Sequence, residues 1–127
     1  MTQPQLANAE LALMELLWTQ QPRTARELRE QLYGGADKAQ HGTVQRLLQR
    51  LEDKGCVARD RSQPVHLFSA TLTREAYAGS QLESLADKLT GGSLAPLLTH
   101  LIDSQKISAD EIAQLRTLLE ARRLEDA

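Results

Sequence analysis

The chain has 127 residues, with 15 Lys and Arg against 17 Asp and Glu, 41% hydrophobic and 25% charged residues, and a formal net charge of −2. That composition excludes a disordered or fibrous chain, and no apolar run approaches the roughly 20 residues of a membrane span. The opening MTQPQLANAE lacks the basic-then-apolar layout of a signal peptide. The lone Cys56 excludes an internal disulfide and a cysteine-rich zinc site. We therefore expect a soluble cytoplasmic protein with no cofactor, no metal and no membrane insertion.

The first helical segment runs from Asn8 to Thr19. Leu11, Met14, Leu17 and Trp18 fall on one face, Asn8 reads as the N-cap, and Gln21-Pro22 ends the helix. Trp18 shares the leucine stripe and reads as a buried anchor. Thr24-Ala25-Arg26-Glu27 is a capping box that opens a short second helix carrying Leu28 and Leu32, closed by Tyr33-Gly34-Gly35. A polar connection, Ala36 to Gln40, leads to the clearest stripe in the chain: Val44, Leu47, Leu48 and Leu51. The opposite side of that third helix carries His41, Thr43, Gln45, Arg46, Gln49 and Arg50, and Lys54-Gly55 closes it.

Two short strands are predicted next, Cys56–Arg59 and Val65–Phe68, joined by the turn residues Arg61-Ser62-Gln63-Pro64. Three helices followed by a β-hairpin predict a mainly α fold, a winged helix-turn-helix, over residues 1–71. From Thr73 onward the pattern is again helical, so residues 72–127 are expected to form a helical region. Leu82, Leu85, Ala86 and Leu89 make one stripe, and Gly91-Gly92-Ser93 breaks it. Leu94, Leu97, Leu98, Leu101 and Ile102 make a second, with Pro96 tolerated in the first turn. Ser108-Ala109-Asp110-Glu111 caps a third segment bearing Ile112, Leu115 and Leu119.

Charge is unevenly placed. Residues 38–61 hold Lys38, Arg46, Arg50, Lys54, Arg59 and Arg61 against Glu52, Asp53 and Asp60. In a helix-turn-helix the second helix of the motif enters the major groove while the first braces against the backbone. Arg46 and Arg50 suit guanine O6/N7, and Gln45 and Gln49 suit adenine N6/N7. Thr43 and Thr24 suit phosphate oxygens at helix starts, and Arg59 and Arg61 on the wing would reach phosphates or the minor groove. The bland reading of the same residues is a solvated polar face.

Three short helices of about fifty residues do not easily bury this much leucine alone. A two-fold homodimer through Leu82, Leu85, Leu89, Leu97, Leu98, Leu101, Ile112, Leu115 and Leu119 is the expected outcome, an intramolecular bundle the alternative. Enzymatic readings fail for want of a constellation. His41, His66 and His100 lie in different elements, and the chain has no glycine-rich phosphate loop and no G-x-S-x-G. With 3% aromatic residues, stacking platforms for single strands are missing too. Duplex DNA is the expected partner. Alternatives are a regulator that takes a small molecule between its halves, and a winged adaptor that has lost DNA contacts.

Ala9-Glu10-Leu11-Ala12-Leu13-Met14-Glu15-Leu16-Leu17-Trp18, Thr24-Ala25-Arg26-Glu27-Leu28 and Thr43 through Gly55 resemble the first three helices of the penicillinase-repressor family. That family includes the methicillin-resistance and copper-transport repressors. Gly91-Gly92-Ser93-Leu94 and Ile107 through Leu119 resemble its dimerisation helices, so the likeness covers nearly the whole chain in order. The resemblance implies a homodimeric winged-helix repressor of palindromic operators. In the best-known members a membrane sensor protease triggers cleavage in the dimerisation region, at an Asn-Phe pair whose counterpart here is His100-Leu101. The chain also lacks the paired cysteines of the copper-responsive branch, and its wing reads Arg61-Ser62-Gln63-Pro64-Val65 in place of a Gly-Arg step.

Overall fold

A computed structural model describes residues 5–34 and 38–126 of the chain. The elements in order are α1 (Asn8–Thr19), α2 (Ala25–Tyr33), one turn of 3-10 helix (Lys38–Gln40), α3 (His41–Asp53), β1 (Val57–Asp60), β2 (Leu67–Ala70), α4 (Arg74–Thr90), α5 (Ala95–Asp103) and α6 (Ala109–Asp126). The described fold is mainly helical with one two-stranded antiparallel hairpin, as the residue pattern predicts. Gly35, Ala36 and Asp37, part of the expected helix end and connection, lie outside the described residues. The chain divides into two compact units that meet between Leu82 and Glu83, inside α4.

The core of the first unit is Leu13, Met14 and Leu17 of α1, Leu28 of α2, and Val44, Leu47, Leu48 and Leu51 of α3. Leu6, Cys56, Val57, Phe68, Leu72 and Tyr77 complete it. The stripe on α3 is buried as its spacing dictates. On α1 two expectations are corrected. Leu13, off the expected stripe, is fully buried while Leu11 is only half-buried. The N-cap is Ala7 rather than Asn8: Ala7 N donates to Glu10 Oε1 at 2.8 Å, so a carboxylate at the third helical position does the capping. Trp18 is half-buried, with its indole N–H donating to Leu72 O at 2.7 Å.

The box at Thr24 forms in both directions, Glu27 N donating to Thr24 Oγ1 at 3.1 Å and Thr24 N to Glu27 Oε1 at 3.0 Å. The end of α3 is a Schellman turn. Gly55 adopts φ +76°, its N–H reaches Glu52 O at 3.0 Å, and Cys56 N reaches Leu51 O at 2.8 Å.

That turn shifts the wing. Cys56 spends its N–H on the helix end, so β1 begins one residue later than expected. Cys56 O accepts from Thr71 N at 2.9 Å, which closes the hairpin at 56 and 71 and moves β2 to Leu67–Ala70. The register pairs Val57 with Ala70 and Asp60 with Leu67. The segment after α1 joins as a single bridge, Arg23 N to Phe68 O at 3.0 Å and Phe68 N to Arg23 O at 2.8 Å. Arg23 itself is buried and its guanidinium donates to Gln20 O and Oε1, both at 2.9 Å.

Beyond the wing, Thr73 Oγ1 caps α4 by accepting from Ala76 N at 3.0 Å. Tyr77 belongs to the first unit, where its hydroxyl accepts from Leu6 N at 3.1 Å. In the second unit α5 starts with Pro96 in its first turn, and Ser108 and Glu111 cap α6 reciprocally at 3.1 and 3.2 Å. Among its described residues only Ala86 is buried.

Candidate nucleic-acid interface

The four buried residues of α3 fix the roll of the helix, and the roll decides what its other side presents. Gln45, Arg46, Gln49 and Arg50 are exposed and Thr43 is half-buried. Arg46 Nη2 donates to Thr43 Oγ1 at 3.4 Å, a long contact that leaves most of the guanidinium free for a base edge. Gln49 is more constrained, because its Nε2 donates to Asp53 Oδ1 at 2.9 Å and its Oε1 accepts from Arg59 Nη2 at 3.4 Å. Arg50 lies on the flank toward α1, close enough to Glu10 for its charge to favour that carboxylate's ionised form.

The structure brings the two wing arginines to one acid. Arg59 Nε stands 3.3 Å from Glu52 Oε1, and Arg61 Nη2 stands 3.0 Å from Glu52 Oε2. The Arg59 guanidinium also lies over the Phe68 ring, 4.8 Å from its centroid. Arg61 remains half-exposed, while Arg59 is drawn back against α3. Glu52 is thus a residue that sequence reasoning counted only as charge. Its position on α3 two residues before Lys54 gave no sign that the wing folds onto it.

An open groove of about 820 Å³ runs between the start of α2, the outward side of α3 and the wing. Thr24, Ala25, Arg26 and Arg29 line one wall, His41, Gln45 and Gln49 the floor, and Arg59, His66 and Phe68 the other wall. Three arginines and two histidines face it and, among the described residues, no Asp or Glu lines it. Such a surface favours anions. Thr24 sits at its rim with its hydroxyl oxygen engaged by Glu27 N. The Thr24 amide and hydroxyl in return hold the Glu27 carboxyl below the usual carboxylate range.

Sequence reasoning missed Arg29 altogether. It follows a core leucine and is itself buried. Cys56 is buried, and burial pushes its thiol up from the ordinary value. Among the described residues no cluster of three or more His, Cys, Asp or Glu has metal-site geometry, and no helix is long and apolar enough to cross a membrane.

A recognition-type helix backed by leucines, a bracing helix before it and a basic groove under a β-hairpin define a winged helix-turn-helix protein. The fold is similar to the solution structure of the DNA-binding domain of the repressor BlaI, with a TM-score of 0.51 over 61% of this chain and 94% of that one, at 24% identity. Residues 6–121 match the family profile described as penicillinase repressor. The transcriptional regulator BlaI of Mycobacterium tuberculosis is 34% identical over 116 residues, covering 90% of this chain and 82% of its own. The penicillinase repressor of Bacillus licheniformis is 23% identical, covering 92% and 91%. The methicillin resistance regulatory protein MecI of Staphylococcus aureus is 21% identical over 91% and 93%. This chain belongs to the penicillinase repressor family.

Proposed function

We propose that this DNA-binding transcriptional repressor works in the cytoplasm as a homodimer on a two-fold operator, each protomer setting α3 in a major groove. The carrying observation is the accessible polar side of α3 beside a groove lined by arginine and histidine and, among the described residues, by no acid. In this reading residues 1–71 hold the DNA-binding surface and residues 72–127 the dimerisation region. Arg46 reads a base, Gln45 and Gln49 select on the groove side, Arg50 contacts the flanking strand, and Thr24, Thr43, Arg59 and Arg61 position phosphates.

Dimerisation is supported by the second unit, whose α5 has no buried residue and whose Leu85, Leu89, Leu98, Leu101, Leu115 and Leu119 are exposed. Each leucine fully removed from water contributes about 1.5–3 kcal/mol, so a face of this kind favours a second copy. Release by a membrane sensor protease at His100-Leu101 would act inside α5, where His100 O accepts from Ser104 N at 3.0 Å. Such a protease must first unwind that turn. The repressor relatives support a regulatory role rather than a catalytic one.

Selection of duplexes from a random pool by the purified full chain tests the proposal. The expected product is an inverted repeat whose half-sites lie about one helical turn, 34–36 Å, or a multiple of it apart. A pool that emerges unenriched, or enriched only in single half-sites, refutes the two-fold reading.

A further inference from the structure

Arg29 is 7% exposed, and a buried guanidinium is unstable without an anion or a full set of acceptors. Its Nε has no hydrogen-bond partner, and Nη2 is 3.8 Å from Glu30 Oε1, beyond hydrogen-bond range. Nδ1 of His41, at the start of α3 and on the floor of the same groove, is buried and likewise has no hydrogen-bond partner. Two helices, α2 and α3, therefore each place a residue with a buried, unpartnered nitrogen in the lining of one groove. Pro64, Val65 and Phe68 supply an apolar side to it.

We propose that this groove is a binding site for a small organic anion, with a carboxylate or phosphate head on Arg29 and His41 and an apolar body against Pro64, Val65 and Phe68. A guanidinium so deep must be reached by a head group small enough to enter the groove. A free anion does this more readily than a phosphodiester held in a duplex. Its consequence for regulation rests on the repressor reading: the occupant would sit between α3 and the wing, on the surface offered to DNA, and the two would compete. Gln45 and Gln49, which line the same floor, are the side chains the occupant would cover.

Phenyl phosphate is the probe, titrated into the full chain while backbone amides and the Arg29 Nε–Hε resonance are followed by NMR. Saturable shifts are expected at Arg29 Nε, His41 and Phe68. Arg29→Met and His41→Ala should each weaken binding about tenfold or more, and Arg74→Ala, which removes a charge paired with Glu15 outside the groove, should leave it unchanged. Should Arg29→Met fail to fold, His41→Ala decides the matter. Non-saturating shifts, or an unchanged affinity in the folded variants, overturn the site. So does an Arg29 resonance that moves with a duplex but not with phenyl phosphate, which would assign the groove to backbone phosphate. Saturable binding in a chain that enriches no duplex keeps the site and removes the repressor mechanism instead.

Discussion

Arg46 and Glu10 show two ways in which a charged side chain can serve this fold. Arg46 is exposed on α3 with one long hydrogen bond, so removing it costs the fold little. If it reads a base, Arg46→Ala weakens operator binding by about 1–3 kcal/mol and relaxes preference at one operator position. Competition binding against operators substituted base by base checks this, and a uniform loss at every position would reassign Arg46 to phosphate. Glu10 is 1% exposed and bound by Lys54 Nζ at 2.8 and 3.0 Å. Burial raises its pKa, but Lys54, the Ala7 amide and Arg50 outweigh it and hold the carboxyl below the ordinary range. A carboxyl lowered by folding stabilises the native state above its unfolded pKa of about 4.3, and that contribution disappears as pH falls through the lower folded value. Thermal melts should therefore hold from neutrality down to about pH 5 and fall below it. In Glu10→Gln the acid fall should be shallower, and curves that run parallel to wild type would locate acid sensitivity elsewhere.

At the scale of elements, the wing and α3 are tied by Glu52, which holds both Arg59 and Arg61. If the wing meets DNA as proposed, these guanidinium groups must exchange a protein carboxylate for a phosphate. That exchange reduces what each contributes to affinity. Glu52→Ala should tighten non-specific duplex binding and steepen its salt dependence by up to about two phosphate equivalents, measured by fluorescence anisotropy across a salt series. An unchanged slope would mean that the wing arginines do not approach the duplex. The hairpin owes its placement to the helix end before it. Gly55 at φ +76° ends α3, and Gly55→Ala should cost about 1 kcal/mol in denaturant melts, since a Cβ disfavours that conformation although nothing crowds it.

For the whole molecule, the question is what covers the leucines of residues 83–127. Leu115 and Leu119 lie one turn apart on α6, 45% and 66% exposed. If they meet a second copy, Leu115→Glu with Leu119→Glu halves the mass found by sedimentation at micromolar concentration and leaves the melting of the first unit intact. Operator binding should then lose the gain that two linked half-site contacts give, roughly 10²-fold or more. A wild-type chain that sediments as a monomer refutes the arrangement without any variant. The first unit stands apart from that outcome, because Leu6, Leu72 and Tyr77 close its core within a single chain.

Much of this was legible from residue order. The α3 stripe, the caps at Thr24 and Ser108, the glycine after α3, the hairpin and the second helical region all follow from short-range rules, because helix period, capping and turn chemistry act within a few residues. The family likeness came from the same segments. Contacts between residues far apart in sequence came only with the folded chain. Leu13 in place of Leu11 in the core, the Arg23–Phe68 bridge, the register set by Cys56 and Thr71, and Glu52 gathering two arginines each depend on elements meeting in space. Arg29 marks the divide most sharply: one residue past a core leucine it reads as surface, and the packing of α2 against the rest of the first unit leaves its charge buried beside an open groove.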